Sequence, residues 1–344
     1  MPGVSKKLSV PEFLYLSASI PVADVRSPGE YAYGHIPSAV NIPLFDDSQR
    51  AEVGTIYKKE GNIRAVLRGI ELAAPEMSAR LERAIALAPQ KSLLTYCWRG
   101  GMRSEAMAWL FSMGGLTPLL LEGGYKAYRN YILTELGRQR QFIILGGLTG
   151  SGKTQILRHL MSSGTAVTDL EGLASHKGSA FGALGQSPQP SSEHFANLLY
   201  DDLSRKEDIG PVWLEDESRN IGAVFMPDNF YNLMQSAPVI ALMMSIETRL
   251  PRLLEEYASF PPELIIASVM KISKRLGGDR TRKAVEALMK GDFATAIRIT
   301  LEYYDKSYHY CLSKRGGQVI YVETDTDDVA LNAARVKSEA ESLR

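Results

Sequence analysis

The sequence contains little cysteine. Only Cys97 and Cys311 occur among 344 residues. Two cysteines in dissimilar surroundings argue against a disulfide framework and against a zinc cluster, so any cysteine chemistry must come from a single thiol. An excess of one charge is also missing, since 39 Lys and Arg balance 39 Asp and Glu. Such neutrality gives no global electrostatic reason for nucleic-acid binding, although a local basic patch remains compatible with it.

Long hydrophobic runs are absent as well. The most apolar run, residues 238–246, is too short to span a bilayer, and the first residues show no apolar core of signal-peptide length, so we expect a cytoplasmic protein. The 45% hydrophobic content, with 29 Gly and 17 Pro, excludes a collagenous, coiled-coil or largely disordered chain. A length of 344 residues predicts two domains, at about 150 residues for each.

The first part of the chain alternates short apolar runs with segments of helical periodicity. A loop rich in Pro and Gly is predicted over residues 27–37, directly after the first apolar run. The alternation predicts an α/β domain in which a parallel sheet is covered on both faces. The predicted strands are 20–25, 93–96 and 117–121, and the predicted helices are 75–88, 102–113 and 125–136.

A polar stretch at residues 137–141 interrupts this pattern, and a fresh strand begins at residue 142. We therefore predict a first domain over residues 1–137 and a second over 138–344. The second is also expected to be α/β, with an almost wholly helical insertion at about 249–310. Its predicted strands are 142–147, 166–168, 211–214, 239–244 and 319–322.

The second domain opens with a glycine-rich turn. Residues 147–154, GLTGSGKT, satisfy G-x-x-x-x-G-K-[ST] between an apolar strand and a helix. Such a loop turns successive backbone N–H groups toward a phosphate, and the helix amino terminus adds partial positive charge. Lys153 would bridge phosphate oxygens, and Thr154 would hold Mg²⁺ if a metal is used. The motif does not reveal which phosphate compound is bound. The predicted phosphate-binding residues are Gly147, Gly150, Ser151, Gly152, Lys153 and Thr154.

Acidic residues follow two other predicted strands of this domain. Glu215, Asp216 and Glu217 come after one apolar run, and Asp169 ends another. Any of them could position Mg²⁺ or serve as a catalytic acid. Each could equally be a solvated charge at a strand end, and the sequence does not choose between these interpretations.

Cys97 directly follows a predicted strand and opens the loop CWRGGMRS. Backbone N–H groups of a tight glycine loop, the following helix amino terminus, and Arg99 or Arg103 would all favour a thiolate and bind an anion. Two chemistries share this pattern. A sulfurtransferase carries a chalcogen atom on the thiolate, whereas a cysteine phosphatase attacks phosphorus and uses an Arg after five intervening residues. The spacing of Cys97 and Arg103 does not decide between them.

Three segments together resemble a rhodanese domain over about the first 130 residues. They are DVRSPGEY at 24–31, GHIPSAVNIP at 34–43 and the Cys97 loop. The loop spans seven residues rather than the six of common single-domain rhodaneses, which implies a larger cradle. Fusion of CWRGGMRS to a domain that opens with GGLTGSGKT resembles the bacterial tRNA 2-selenouridine synthase family, and this likeness extends over the whole chain.

The resemblance implies a two-stage reaction on the wobble uridine of tRNA. The 2-thio sulfur is first geranylated by geranyl diphosphate, and selenophosphate then displaces the S-geranyl group, so that selenium replaces sulfur. The implied partners are the tRNA anticodon stem-loop and these two substrates, with no tightly bound cofactor and with Mg²⁺ left open. Cys97 would serve the selenium step with Arg99 and Arg103 holding the anion, and the loop at 147–154 would hold the diphosphate.

The densest basic stretch lies within the helical insertion and is the candidate tRNA contact. It could equally be a charged solvent-facing pair of helices. Nearby Tyr303, Tyr304, Tyr308 and Tyr310 could stack on a base or pack within the domain. The candidate tRNA-binding residues are Lys271, Lys274, Arg275, Arg280, Arg282 and Lys283.

Two other classes of protein fit parts of the pattern. A cysteine phosphatase or sulfurtransferase fused to a small-molecule P-loop kinase would explain both anion-binding loops without RNA. A regulatory rhodanese-like binding module would explain the first domain, although such modules often lack the cysteine that is present here at position 97.

Overall fold

The computed structural model describes residues 5–206, 209–257 and 259–343. The chain divides into two compact units, Met1–Glu135 and Leu136–Arg344. This division falls two residues before the boundary predicted at residue 137. Each unit contains a five-stranded sheet in which every pairing is parallel, as expected for an α/β fold.

The sheet of the first unit has the strand order β1-β5-β4-β2-β3. Its middle strand is buried on both faces, since residues 93–96 are all inaccessible, and this is typical of a parallel sheet covered by helices. The strands are β1 (Lys7–Leu8), β2 (Val22–Asp24), β3 (Val40–Asn41), β4 (Ser92–Tyr96) and β5 (Thr117–Leu121). The helices are α1 (Val10–Ser17), α2 (Pro28–Tyr33), α3 (Asp47–Glu60), α4 (Asn62–Ala73), α5 (Met77–Leu87), α6 (Met102–Met113) and α7 (Gly124–Leu136).

The prediction of a loop over residues 27–37 is wrong in its first half, because α2 occupies Pro28–Tyr33. Ser27 caps this helix by accepting the N–H of Glu30, whose carboxylate in turn accepts the N–H of Ser27. Pro28 occupies the first turn, where a missing N–H costs no intrahelical bond. Ser27 and Pro28, which suggested a loop in the sequence, therefore mark the start of a helix.

The sheet of the second unit has the order β12-β11-β6-β8-β7. Its central strand leads directly into the glycine-rich turn, so the turn lies at the carboxyl edge of the sheet. The strands are β6 (Phe142–Gly147), β7 (Val167–Thr168), β8 (Val212–Glu215), β11 (Val239–Met244) and β12 (Val319–Thr324), with an antiparallel pair β9 (Asn220–Ile221) and β10 (Val224–Phe225) beside them. The helices outside the insertion are α8 (Lys153–Ser162), α9 (Leu170–Ala174), α10 (Ser192–Ser204), α11 (Asp228–Ser236) and α17 (Val329–Glu341).

A run of five helices separates β11 from β12 and corresponds to the predicted insertion. These helices bury two apolar clusters, one around Leu253 and Leu301 and the other around Val269 and Leu288. The helices are α12 (Ile246–Tyr257), α13 (Pro262–Lys271), α14 (Ser273–Leu276), α15 (Gly278–Met289) and α16 (Phe293–Leu312). No helix in the described ranges is long and apolar enough to cross a membrane.

Candidate functional site

Cys97 lies at the carboxyl end of β4, at the centre of the first sheet. Its side chain is 3% exposed, and Sγ lies 3.2 Å from the hydroxyl of Ser104 and 3.9 Å from the carbonyl oxygen of Gly101. The loop packs tightly, because a Cβ on Gly124 would come within 2.4 Å of the Cys97 carbonyl oxygen. Gly124 also has a φ of +61°, which favours glycine. The thiol is therefore held directly under the amino terminus of α6.

The two arginines predicted to hold an anion beside Cys97 have different surroundings. Arg99 is exposed on the loop. Arg103 lies in the first turn of α6 and forms an ion pair with Glu30, at 2.8 Å between Nη1 and Oε2. Burial opposes ionisation of Glu30, but the hydrogen bond and charge of Arg103 lower the pKa of this carboxyl below its ordinary value. An anion that engages Arg103 must therefore compete with Glu30, which sequence reasoning did not single out.

A buried ion pair lies at the carboxyl end of β2, the strand next to β4 in the first sheet. Arg26 is fully buried and makes hydrogen bonds of 2.6–3.0 Å to both carboxylate oxygens of Asp24. Its guanidinium lies 3.8 Å from the ring centroid of Tyr125. Because the backbone N–H of Tyr125 donates to the Cys97 carbonyl, this buried pair is coupled to the position of the cysteine loop.

The glycine-rich turn of the second unit is clamped by α12. Arg249 is 1% exposed, forms an ion pair with Asp305 of α16, and donates from Nη1 to the Thr149 carbonyl at 2.9 Å. Arg252 donates to the Gly150 carbonyl at 3.3 Å. A Cβ on Gly152, whose φ is +83°, would collide with the Arg252 guanidinium. Two arginines of the insertion thus bind carbonyl oxygens of the turn and do not occupy its N–H groups.

Lys153, the first residue of α8, lies against the turn and close to several carboxyl groups. Its ammonium donates to the Gly147 carbonyl at 2.9 Å. Burial lowers the pKa of Lys153, and the charges of Glu171, Glu217 and Glu215 partly oppose that shift. The hydroxyl of Ser151 is buried and has no hydrogen-bond partner among the described residues. Ser151 and Lys153 are two of the three predicted phosphate-binding side chains, and both lie close to Gly147 at the start of the turn.

A pair of carboxyl groups faces Lys153 and Thr154. Glu171 accepts from the Thr154 hydroxyl at 3.3 Å and shares a hydrogen bond with Glu217. Burial raises the pKa of both groups, against the attraction of Lys153. The charge of Glu171 raises the pKa of Glu217 further, whereas the hydrogen bond from Glu217 lowers the pKa of Glu171. Two carboxyls in hydrogen-bond contact cannot both ionise cheaply, which favours a shared proton, and the pKa of Glu217 is the one raised more.

The other three predicted acids have distinct structural roles. Glu215 is fully buried and accepts the N–H of Leu170 at 2.9 Å; burial, followed by the charges of Asp169 and Glu171, raises its pKa to about 8. Asp169 caps α9 through the N–H of Gly172 at 2.6 Å. These two side chains build the strand ends of β7 and β8.

Asp216 is anchored rather than free. It forms an ion pair with Arg315 and accepts the hydroxyl of Tyr308 at 3.0 Å. The oxygen of Tyr308 in turn accepts the N–H of Gly147 at 2.7 Å, and burial raises the pKa of this phenol. Asp216 therefore holds the first residue of the glycine-rich turn through Tyr308.

These groups surround one cleft of about 780 Å³ at the carboxyl edge of the second sheet. We call it the P-loop cleft. Its walls combine the glycine-rich turn with side chains of both charges. They include more cationic side chains than Lys153, the one that the motif supplies. The cationic lining residues are Lys153, Arg158, Lys177, Arg252, Arg275 and Arg315, and the acidic ones are Asp169, Glu171, Asp216, Glu217, Glu255 and Glu256.

Comparison with known proteins matches both units. The family model "tRNA 2-selenouridine synthase AAA domain" covers residues 140–339, and the model "Rhodanese-like domain" covers 12–131. A tRNA 2-selenouridine synthase of Marinobacter nauticus is 34% identical, covering 88% of this chain and 90% of the relative. The chain belongs to the tRNA 2-selenouridine synthase family.

Further relatives carry the same family name. The tRNA 2-selenouridine synthase of Pseudomonas putida is 36% identical over 85% of this chain and 87% of its own length. Among solved structures, the N-terminal domain of a putative ATP/GTP binding protein from Clostridium difficile 630 is 39% identical, covering 37% of this chain and 99% of that domain, with a TM-score of 0.36. The likeness to the two synthases thus extends along nearly their whole length.

The basic stretch of this family member divides into two halves. On α15, Arg282 and Lys283 pair with Asp279, Arg282 also pairs with Glu286, and Arg280 lies 3.6 Å from Glu302. Those cations are therefore largely neutralised within the insertion. In the first half Lys271, Lys274 and Arg275 are exposed and form no ion pair within the described ranges, and Arg275 lines the P-loop cleft.

Sequence reasoning missed four cleft residues: Glu171, Arg252, Tyr308 as an anchor, and Arg315. Glu171 follows Asp169 by two positions, in the first turn of a helix that starts at a strand end, and that placement was a usable signal. Arg252 and Arg315 carry no local motif, because they reach the cleft from the insertion and from the segment after it. Within the described ranges no group of three or more His, Cys, Asp or Glu residues could hold a metal ion.

Proposed function

We propose that this protein is a tRNA-modifying transferase that replaces the 2-thio sulfur of the wobble uridine with selenium. Geranyl diphosphate alkylates the sulfur first, and selenophosphate then supplies the selenium. The observation that carries this proposal is one chain with a buried cysteine under a helix amino terminus and, in its second unit, a P-loop cleft lined by additional cations. Membership of the tRNA 2-selenouridine synthase family supports it.

In the first step the thiocarbonyl sulfur attacks carbon 1 of geranyl diphosphate. The carbon–oxygen bond to diphosphate breaks, and the uridine loses its N3 proton. Backbone N–H groups of residues 147–154, together with Lys153, would hold the departing diphosphate and stabilise the charge that develops on it. Arg252 lines the same cleft and adds positive charge, whereas Arg315 is already paired with Asp216. The proton shared by Glu171 and Glu217 is available to a diphosphate oxygen.

The residues beside Lys153 would also accommodate Mg²⁺. Thr154, Glu171 and Glu217 offer hydroxyl and carboxylate oxygens, which are the ligands that this hard cation prefers. A divalent cation would relieve the repulsion from Glu171 that raises the pKa of Glu217. Bound there, it would neutralise charge on the diphosphate. Binding of Mg²⁺ would release the proton that the pair holds.

The second step forms a carbon–selenium bond at carbon 2 and breaks the carbon–sulfur bond, so that geranylthiol leaves with a proton. Water then cleaves the selenium–phosphorus bond and releases phosphate. We assign this step to the Cys97 loop, where the amino terminus of α6 and Arg99 would hold the selenophosphate anion. Arg103 would join them if it leaves Glu30.

The RNA contact is assigned to the unpaired half of the basic stretch. Lys271, Lys274 and Arg275 are exposed, and Arg275 reaches the P-loop cleft. Cations that are not already paired can neutralise RNA phosphates without losing an internal partner. Arg280, Arg282 and Lys283 would contribute less, because carboxylates of the insertion already neutralise them.

A reconstituted reaction tests the proposal. An anticodon stem-loop RNA with 2-thiouridine at the wobble position is incubated with the protein and geranyl diphosphate, then with selenophosphate, and its nucleosides are analysed by mass. We expect S-geranyl-thiouridine after the first addition and selenouridine after the second. Hydrolysis of generic phosphoesters with no change in the RNA would instead favour a cysteine phosphatase and would refute the assignment.

A further inference from the structure

The helical insertion contains a second cavity that adjoins the P-loop cleft. It lies where α12, α13, α15 and α16 converge, and its walls are almost entirely apolar. Four of its lining residues also line the P-loop cleft: Thr149, Leu253, Tyr257 and Tyr304. Thr149 belongs to the glycine-rich turn itself, and Leu253 packs on Gly150 so closely that a Cβ there would lie 2.7 Å from its Cγ. The apolar walls therefore begin at the phosphate-binding turn.

The cavity follows the border between the two apolar clusters of the insertion. Leu253 and Leu301 belong to one cluster, and Val269 and Leu288 belong to the other. Tyr257 packs against both. The remaining gap is about 20 Å³, room for about one water, but its apolar walls offer no partners to hold one. Separating two clusters along such a gap breaks fewer contacts than opening a continuous core.

One segment covers both the gap and the cleft. Lys177, Gly178 and Ser179 line the P-loop cleft, whereas Phe181 lines the apolar cavity with its ring centroid 5.3 Å from that of Tyr257. The backbone N–H of Ala180 donates to the Tyr304 hydroxyl at 3.3 Å. Tyrosine hydroxyls thus mark the boundary between a polar cleft and an apolar interior, with the aromatic rings on the apolar side.

We propose that this cavity receives the isoprenoid chain of the diphosphate substrate. This proposal rests on the function proposed above and adds the place where the apolar part of the substrate binds. The diphosphate lies on the glycine-rich turn, and the chain passes Thr149 and Leu253 into the gap, which the chain widens by parting the two clusters on either side of it. An allylic diphosphate needs an apolar wall next to its phosphates, and in the second unit Leu253 provides that junction directly against the turn.

The test compares binding of geranyl diphosphate with binding of inorganic diphosphate, measured by calorimetry on the full chain. Ala296 is 3% exposed and lines the cavity, so Ala296→Leu places a larger side chain in the gap. We expect this variant to bind geranyl diphosphate about tenfold more weakly, the effect of failing to bury about two methylene groups, with unchanged affinity for inorganic diphosphate. Leu160→Ala, at a buried site in the core under the sheet, is the control for general destabilisation.

A second variant removes bulk instead. Leu288→Ala enlarges the cavity at a residue that does not line the P-loop cleft, and we expect farnesyl diphosphate to gain affinity relative to geranyl diphosphate. This measurement keeps the proposal testable if Ala296→Leu does not fold. Equal loss of both ligands in Ala296→Leu, or no change in chain-length preference in Leu288→Ala, would overturn the assignment.

The proposed function and the chain-binding site fail in different ways. If the wild-type protein binds geranyl diphosphate more tightly than inorganic diphosphate, and Ala296→Leu abolishes the difference, the site stands even where no geranyl group reaches the RNA. If geranyl transfer to RNA occurs but both variants behave like the wild type, the chain binds elsewhere and the inference is refuted.

Discussion

Glu215 offers the sharpest test of the electrostatics of the second unit. It is fully buried at the end of β8, its pKa is raised to about 8, and one of its carboxylate oxygens has no partner among the described residues. The side chain is therefore protonated in the folded protein at neutral pH. We predict that Glu215→Gln, which is neutral at every pH, removes a pH-dependent destabilisation that the wild-type protein carries.

The sign and size follow from linkage. Between pH 4.5 and about 8 the folded protein retains a proton at Glu215 that the unfolded chain has released, so stability falls as pH rises through this window. At pH values above the pKa of the folded state, the buried Glu215 carboxyl destabilises the wild-type protein by about 5 kcal/mol. Between pH 5 and 7.5 this destabilisation grows by about 3 kcal/mol. The free energy of unfolding of Glu215→Gln, minus that of the wild type, should rise by about that amount over the same interval.

The assay needs a signal from the second unit alone. Of the three tryptophans, only Trp213 lies in that unit, on β8 and 3% exposed. Changing Trp98 and Trp109 to Phe leaves its fluorescence as the reporter of urea unfolding, measured from pH 5 to 8.5. The glutamine can still accept the N–H of Leu170, which keeps the comparison close to isosteric.

Glu323→Gln is the matched control, because Glu323 is an exposed glutamate on β12 of the same sheet. Its stability profile should run parallel to that of the wild type. If Glu215→Gln also runs parallel, then the carboxyl is ionised in the folded protein, and the burial argument for this site is wrong. A steep pH dependence that survives in Glu215→Gln would have to come from the Glu171 and Glu217 pair.

Three further predictions concern the proposed reaction. Cys97→Ser should stop conversion of S-geranylated RNA to selenouridine while leaving geranylation intact, as measured by nucleoside mass. Lys153→Ala should slow geranylation by at least about tenfold but leave pre-geranylated RNA a normal substrate for selenium, since it removes charge from the diphosphate site only. Exchanging Lys274 and Arg275 for Glu should weaken tRNA binding and lower the salt dependence of the binding constant, by a slope of about 1 for each RNA phosphate that the variant no longer neutralises. Arg282→Glu should weaken tRNA binding less. Equal effects of the two changes in a filter-binding titration would contradict the division of the basic stretch.

Much of the framework could be predicted because it depends on local patterns. The strands 117–121, 142–147 and 239–244 are confirmed at both ends, since a buried parallel strand is a continuous apolar run with turn signals beside it. The glycine-rich turn is likewise a local motif. Helix α3 was not predicted, because it buries none of its residues and so lacks an apolar stripe to recognise. Helix α4 was missed as well, although it buries Ala65, Gly69 and Ala73 along one face.

The residues around the turn could not be predicted in the same way, because they arrive from distant parts of the chain. Arg249, Arg252 and Tyr308 lie roughly a hundred or more positions beyond the carbonyl or N–H group that each one contacts. Their spacing from the motif is set by the length of the intervening chain rather than by any local geometry. Only the folding of the insertion, with α12 packed on α16, brings them to the turn.

The three consecutive acids Glu215, Asp216 and Glu217, which begin at the last residue of β8, show what a closer physical analysis of the sequence could have added. Successive side chains of a strand point to opposite faces, so Glu215 and Glu217 share one side and Asp216 takes the other. Only Glu215 belongs to β8, but the side chains that follow it divide in the same sense: Glu217 meets Glu171, whereas Asp216 meets Tyr308 and Arg315. The acids therefore divide into two that titrate beside Lys153 and one that anchors the turn. Loss of Asp216 should disturb the position of the turn itself, while loss of Glu217 should change the charge and the proton of the cleft and leave the turn in place.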